Sequence, residues 1–258
     1  MKSVDLISKG LERVFSGEDC RVKHIGLFAM AGIASLISMN FRTISEAYKN
    51  AHITPNFGEI VVELLIFILI STYIGGYTLQ FMHNVHHNEE LPNFDGKPIL
   101  AILKSVPLAI VWFIYFAVII FGVSSLFAGV PGHVAIFYIV LALLPVFLIY
   151  IPFCYIFVWV AFSKNFDAKG LFNPFGAFKY LKAFGIVLAV FICMFVLNII
   201  AFIPIGIVGG IIGFLGEGTK VASYIGGIMG GYIGYVGQFI LAYCLVQIYK
   251  ERFEQQEY

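Results

Sequence analysis

Residues 105–163 read SVPLAIVWFIYFAVIIFGVSSLFAGVPGHVAIFYIVLALLPVFLIYIPFCYIFVWVAFS and contain no Asp, Glu, Lys or Arg. An apolar helix needs about 20 residues to cross a bilayer. The stretch is longer than one crossing requires, and Gly129-Val130-Pro131-Gly132 interrupts it near its middle. It therefore predicts two membrane spans that are joined by a short turn.

Four other stretches lack charged residues in the same way: His24–Phe41, Leu64–Met82, Ala183–Gly216 and Val221–Tyr249. The chain of 258 residues is 60% hydrophobic and 12% charged, whereas soluble domains have about 25% charged residues. We therefore predict an all-α polytopic membrane protein with six transmembrane helices in three hairpins, forming a single integral domain over residues 1–258. The predicted spans cover approximately residues 24–41, 62–82, 105–128, 133–162, 183–214 and 221–249.

Lysine and arginine are distributed unevenly between the two sides that these spans define. Arg42, Lys49 and Lys220 fall on one side, and the other 13 of the 16 basic residues fall on the side that holds both termini. Because basic residues are concentrated on the cytoplasmic side of membrane proteins, both termini are predicted to be cytoplasmic. The basic residues form no continuous run or stripe, which argues against nucleic-acid binding.

Short amphipathic segments precede the three hairpins on the predicted cytoplasmic side. The first occupies residues 3–20, where apolar residues recur at helical spacing: Val4, Ile7, Leu11, Val14 and Phe15. The second stripe comprises Ile99, Ile102, Leu103 and Val106, and the third comprises Phe172, Phe175, Phe178 and Leu181. Because amphipathic helices of this kind lie in the headgroup plane, these segments predict contact with membrane lipids.

Glycine is dense in the last two predicted spans. The fifth contains Gly206, Gly209, Gly210, Gly213 and Gly216, and the sixth contains Gly226, Gly227, Gly230, Gly231, Gly234 and Gly237. At spacings of three and four residues, glycines share a helix face and allow two backbones to approach closely. We expect these faces to pack within the chain, and the alternatives are a homo-oligomer interface and a narrow pore.

The sequence His83-Asn84-Val85-His86-His87 resembles one histidine box of the membrane fatty-acid desaturases and hydroxylases. Its spacing places three imidazoles on one helix face, close to Glu89 and Glu90. A di-iron site of that kind needs several boxes, and the other histidines, His24, His52 and His133, are isolated. Three histidines are sufficient ligands for a zinc ion, but histidines are also ordinary residues at a helix end in the headgroup region. We therefore expect no metal ion and no cofactor.

Few ionisable groups fall inside the predicted spans, where they would indicate an ion or substrate path. Glu63 is the nearest candidate, at the outer end of the second span, and we expect its carboxylate to reach water. Asn198 and Gln238 lie deeper and are expected to form hydrogen bonds between helices. The sequence contains no buried charge pair and no acidic relay, which argues against proton- or sodium-coupled transport.

Two segments, Gly76-Tyr77 and Glu89-Glu90-Leu91-Pro92-Asn93-Phe94-Asp95, resemble the conserved pattern of a prokaryotic membrane-protein family designated domain of unknown function 4013. Asn165-Phe166-Asp167 and Leu171-Phe172-Asn173-Pro174-Phe175 are similar to the second cytoplasmic segment of that family. The family tends to place arginines between Gly-Tyr and Leu-Pro, where this chain has histidines. Because the family is prokaryotic and has no established activity, the resemblance implies a fold, a topology and a prokaryotic inner membrane, but no catalytic residue.

The residues of this motif also have a structural interpretation. Proline disfavours helix at the preceding residue, so Leu91-Pro92 predicts a break in the chain. Asp95 can then cap the helix that leads into the third span. We expect a structural role for the motif and not a role in recognition.

No motif for nucleotide binding or hydrolysis is present in the sequence, including the Walker loop, the nucleophile elbow and HExxH. We therefore expect a non-catalytic protein that assists or regulates a membrane process through membrane lipids or a membrane-protein partner. The alternative is a transporter or channel for a small or lipid-like solute. A metal-dependent membrane enzyme is the third hypothesis.

Overall fold

A computed structural model describes residues 3–17, 19–51, 57–127, 129–214 and 219–254, and these residues form helices without a strand. The α-helices are α1 (Ser3–Phe15), α2 (Cys20–Ala51), α3 (Phe57–His86), α4 (Lys97–Leu126), α5 (Gly132–Pro145), α6 (Ile156–Asn165), α7 (Phe184–Phe214) and α8 (Thr219–Tyr249). A π-helical segment, Val146–Tyr155, joins α5 to α6. A 3₁₀ segment, Phe175–Ala183, leads into α7, and a short π-helical turn, Lys250–Glu254, follows α8.

Six helical stretches are long and apolar enough to cross a membrane, which confirms the predicted all-α polytopic fold. They are Cys20–Phe41, Ile60–His86, Lys97–Leu126, Val134–Asn165, Phe175–Ile211 and Val221–Glu254. Large apolar side chains on their outer faces are exposed, such as Phe121 and Phe195, and a bilayer would cover such faces. Because the number of crossings is even, α1 and the residues after α8 lie at the same end of the bundle, which we call the termini end.

The fourth span departs from a regular α-helix because of its prolines. Pro152 lacks the backbone N–H that a regular turn requires, and the segment around it, Val146–Tyr155, adopts wider π-helical turns. Such turns accommodate a local disruption inside a long helix. The chain therefore crosses the membrane as α5, the π-helical segment and α6 in succession.

The observed helix boundaries differ from the predicted ones in two places. The expected connection between the first two spans, residues 42–63, is mostly helical, because α2 extends to Ala51 and α3 begins at Phe57. The amphipathic stripe from Ile99 to Val106 forms the first turns of α4 and is not a separate helix in the membrane plane. His52 and Gly216 lie outside the described residues.

Helix α8 lies at the centre of the bundle and contacts α1, α2, α3, α6 and α7. The apolar side of α1 faces this bundle, since Leu6 and Val14 are fully buried. A Cβ atom placed on Gly10 would lie 3.2 Å from Ile240 of α8. The buried face of the first amphipathic segment therefore packs against α7 and α8.

The glycines of α7 and α8 have different surroundings. A Cβ placed on Gly231 would lie 3.2 Å from Cβ of Ala31 in α2, and one placed on Gly230 would lie 3.1 Å from the Phe202 ring in α7. In contrast, a Cβ placed on Gly206 or Gly209 of α7 would meet no atom within 4 Å. Among the described residues, Gly206 and Gly209 therefore do not pack closely against another helix.

Candidate functional site

The connection between α3 and α4, residues 87–96, folds back over the termini end of the bundle; we call it the first connection. Asn88 has a left-handed backbone conformation (φ 60°), which ends α3 and turns the chain. Leu91 is then buried to 2% exposure, and the Phe94 ring stacks on Tyr77 with 5.2 Å between ring centroids. Leu91 and the adjacent Pro92 therefore anchor the first connection to the packed core, whereas its other residues are exposed.

Side chains of α1, α2 and α3 donate hydrogen bonds to five backbone carbonyl groups of the first connection. Lys23 Nζ donates to the Leu91 carbonyl oxygen at 2.9 Å, and the Tyr77 hydroxyl donates to that of Pro92 at 2.7 Å. The other three pairs are Arg13 with Glu89, Asn84 with Glu90 and Tyr73 with Asp95. Because a buried carbonyl without a partner is costly, the hydrogen bonds from Lys23 and Tyr77 allow Leu91 and Pro92 to be buried.

Two glycines leave the space that this arrangement requires. A Cβ placed on Gly76 would lie 2.1 Å from the carbonyl oxygen of Pro98, so a side chain there would collide with the backbone of α4. A Cβ placed on Gly26 would lie 2.4 Å from the Phe94 ring. In the family-like motif, Gly76 and Tyr77 thus lie on α3, directly against the start of α4 and the first connection.

Asp95 stabilises the start of α4 in a slightly different way from the predicted cap. Its Oδ1 accepts a hydrogen bond from the backbone N–H of Lys97 at 2.8 Å, whereas the residue at the N-cap position is Gly96. The carboxylate of Glu90 lies against Gly17, between α1 and α2. The acidic residues of the motif therefore contact the protein's own backbone at two helix boundaries.

The three clustered histidines point to different backbone carbonyl groups. Nδ1 of His83 lies 3.0 Å from the carbonyl oxygens of Ser163 and Lys164 at the end of α6. Nε2 of His86 lies 3.1 Å from that of Val160, and Nδ1 of His87 lies 2.9 Å from that of His83. A neutral imidazole has one N–H donor. In this structure, the three side chains contact carbonyl groups of α6 and α3.

The predicted face of three imidazoles does not form a ligand set in the structure. Among the residues that the structure describes, no group of three or more His, Cys, Asp or Glu side chains is arranged to hold a metal ion. His86 instead faces Glu254, with 3.5 Å between Nδ1 and Oε1, and Glu254 also lies 3.1 Å from Lys164 Nζ. The cluster therefore connects α3, α6 and the residues after α8.

The connection between α6 and the 3₁₀ segment, residues 166–174, is the second connection. Trp112 Nε1 donates to the Leu171 carbonyl oxygen at 3.0 Å, and the Tyr150 hydroxyl donates to that of Pro174 at 2.7 Å. Phe175 is nevertheless 79% exposed and Phe178 is 49% exposed. With the exposed side chains of Phe172, Lys179 and Lys182, they form what we call the aromatic surface.

Polar side chains within the spans form separate local pairs. Gln238 of α8 donates to Thr78 of α3 at 2.9 Å, as expected for a hydrogen bond between helices. Asn198 instead donates to the carbonyl oxygen of Met194 in its own helix. Glu63, expected to reach water, accepts a hydrogen bond from Asn40 at 2.9 Å, and its second oxygen, Oε2, is buried without a hydrogen-bond partner.

Several residues of the site had no sequence signal. Lys23 and Arg13 are basic residues near a predicted membrane boundary, where most cations are exposed, and Trp112 and Tyr150 lie in long apolar stretches. Their acceptors are 59 or more residues away along the chain for Lys23, Arg13 and Trp112. The one weak indication of such donors in a sequence is an aromatic or basic residue that carries a polar group at its tip near the end of a span.

The chain matches no protein-family model, no curated protein sequence and no solved structure.

Proposed function

We propose that this protein is a non-catalytic multi-pass membrane protein that assists or regulates a partner protein in the same membrane. The observation that supports this proposal is the aromatic surface, on which Phe175 is 79% exposed beside Lys179 and Lys182. Aromatic and basic side chains at a span end suit contact with both lipid headgroups and protein. The histidines, in contrast, are engaged with backbone carbonyls.

We further propose a prokaryotic inner membrane, with the termini end in the cytoplasm, and membership of the family whose motif the first connection resembles. The uneven distribution of lysine and arginine supports the orientation. Membrane-impermeant thiol labelling of intact cells tests it, in a variant whose four native cysteines are replaced. We expect Gly129→Cys to be labelled and Asp95→Cys and Lys169→Cys to be protected; labelling of the latter two would reverse the topology.

Site-specific photo-crosslinking tests the partner proposal. A photoreactive residue at Phe175 should give a discrete crosslink to one membrane protein, because this side chain projects from the termini end. The matched control is the same residue at Phe121, which is 78% exposed on the lipid-facing side of α4. Crosslinks of the same protein from both positions, or from neither, would contradict the proposal. The crosslink should also weaken when Phe172 and Phe178 are replaced by serine.

The second candidate function is passage of a small or lipid-like solute. It is favoured by the polar contact between Gln238 and Thr78, which lies between α8 and α3 inside the bundle. Proteoliposomes that contain only this chain test the candidate directly. Solute flux that is lost in Gln238→Leu, with the protein still folded, would favour transport over the partner proposal.

Metal-dependent catalysis makes a separate prediction. We expect purified protein to contain no stoichiometric zinc or iron, and His83→Ala, His86→Ala and His87→Ala to leave the metal content unchanged, since the three imidazoles do not converge. Elemental analysis of protein purified without chelators provides the measurement. Stoichiometric metal that disappears in the triple variant would revive the enzyme hypothesis.

A further inference from the structure

Lys23 is a buried cation without a carboxylate partner among the described residues. It lies within the first span, Cys20–Phe41, and is 7% exposed. Its ammonium group carries three N–H donors, and the structure gives it one acceptor, the Leu91 carbonyl oxygen at 2.9 Å. A buried charge is costly unless it is paired and hydrogen-bonded, and two of the three Lys23 donors have no acceptor among the described residues.

Lys23 lines a polar cavity of about 220 Å³ beneath the first connection. The buried amide side chains of Gln80 and Asn84 lie on another wall, and the exposed Lys97 lies at the start of α4. Two exposed carboxylate residues, Glu89 and Glu90, are also part of the lining. Because the Glu90 carboxylate lies against Gly17, the cavity offers Lys23 and Lys97 for a phosphate group and Glu89 for a positively charged group.

An apolar groove of about 640 Å³ lies next to this cavity, between α2, α3 and α4. Gly26 of α2 lines the groove one helical turn beyond Lys23, and Tyr73 and Ile70 of α3 line it beyond Gln80. Phe94 also lines the groove, whereas the preceding residue, Asn93, lines the cavity. Polar lining near the termini end is thus followed by apolar lining toward the middle of the membrane, which is the order of polarity in a phospholipid.

We propose that the cavity and the groove together bind one phospholipid of the phosphatidylethanolamine class. Its phosphate pairs with Lys23 and Lys97, its primary ammonium faces Glu89, and one acyl chain occupies the groove. Charge-assisted hydrogen bonds from Lys23 provide the specificity for phosphate. The Glu89 carboxylate favours this headgroup over one that carries only negative charge. The proposal goes beyond the proposed function and does not depend on the aromatic surface.

Native mass spectrometry of delipidated, detergent-purified protein tests the proposal. The probes are phosphatidylethanolamine, phosphatidylglycerol and phosphatidylcholine with identical acyl chains. We expect a single bound phosphatidylethanolamine at about one-tenth of the concentration that the other two require. Lys23→Met should weaken this binding about tenfold, and Lys23→Arg should retain it because the charge and the donors remain.

A second pair of variants separates lipid binding from folding, since Lys23 also holds the first connection. Thr72 lines the groove and is exposed, so Thr72→Trp should fill the groove and weaken binding at an unchanged melting temperature. Ser71 is also exposed but does not line the groove. The Ser71→Trp variant should therefore bind phosphatidylethanolamine as tightly as the unsubstituted protein does. Equal binding of the three lipids, or equal binding in both tryptophan variants, would overturn the proposal. A missing crosslink at Phe175 would leave these results unaffected, so the two proposals fail separately.

Discussion

The first and second connections use the same local devices but differ in burial. Each contains, at or near its start, a residue with left-handed backbone, Asn88 (φ 60°) or Phe166 (φ 54°). Each ends with a side-chain oxygen that accepts a backbone N–H two residues later, at 2.8 Å for Asp95 and 3.0 Å for Asn173. The first connection buries Leu91 and Pro92, however, whereas residues 166–174 of the second are all exposed or only partly buried.

The difference follows from the neighbours of each connection. The first connection lies against α1, α2 and α3, and five of its carbonyl groups receive side-chain hydrogen bonds. The second lies beside α4 and the π-helical segment, and Trp112 and Tyr150 are its side-chain donors in the described structure. The same local devices therefore accompany buried anchor residues in the first connection and an exposed aromatic surface beside the second. Four pairs of variants test this contrast.

The largest expected effect is at Gly76. Gly76→Ala should destabilise the protein by at least about 3 kcal/mol, because the new Cβ would lie 2.1 Å from a backbone oxygen that no rotamer change can move away. Gly75→Ala is the matched control, since its Cβ would lie at an ordinary 3.7 Å from Ile102. The melting temperature of each variant in detergent provides the measurement. Similar temperatures for the two variants would contradict the close approach of α3 and α4.

The second pair compares an apolar residue from each region. Leu91→Ala should cost about 2–4 kcal/mol, because it opens a cavity in the core. Phe175→Ala should change the stability by less than about 0.5 kcal/mol, because its side chain is 79% exposed. Thermal unfolding in detergent measures both. A large loss in Phe175→Ala would show that the aromatic surface is structural.

The third pair compares one hydroxyl donor of each connection. Tyr77→Phe should cost about 1–2 kcal/mol, since it leaves the Pro92 carbonyl without a side-chain donor in a fully buried position. Tyr150→Phe should cost about 0.5–1 kcal/mol, because Tyr150 is only partly buried. Hydrogen exchange of the two connections would show which segment loosens. The comparison fails if Tyr150→Phe loosens the first connection as strongly as Tyr77→Phe does.

The smallest effects are expected where the two connections are alike. Asp95→Ala and Asn173→Ala should each cost about 0.5–1 kcal/mol, because both remove one exposed side-chain acceptor at a helix start. Equal shifts in melting temperature would show that the local devices are equivalent. A shift more than twice as large for Asp95→Ala would show that its role depends on the surrounding core.

The positions of the spans follow from the sequence because the constraint is local. Stretches without charge that are long enough to cross hydrocarbon predicted six crossings, and Gly129–Gly132 marked the turn inside the longest one. The same reasoning was less accurate for the residues flanking a span. The helical spacing of Ile99 and Ile102 would be the same in a separate surface helix and in the first turns of α4, where they lie. The spacing alone therefore did not distinguish the two arrangements.

The candidate site was only partly predictable, and the histidines show the reason. The spacing of His83, His86 and His87 places them on neighbouring positions of α3, but it does not specify what lies opposite them. In the structure, the end of α6 supplies carbonyl oxygens to His83 and His86. Likewise, the glycine pattern did not distinguish Gly231, which lies against α2, from Gly209, which faces open space.

The sequence alone determined the class of the protein, the number of crossings and the uneven distribution of basic residues. These properties depend on the cost of placing charge and unpaired backbone groups in hydrocarbon, which can be judged within one segment. The tertiary structure decided that Lys23 meets Leu91, 68 residues away, and that His86 meets Val160, 74 residues away. Such contacts depend on the relative positions of helices, which packing between distant segments determines.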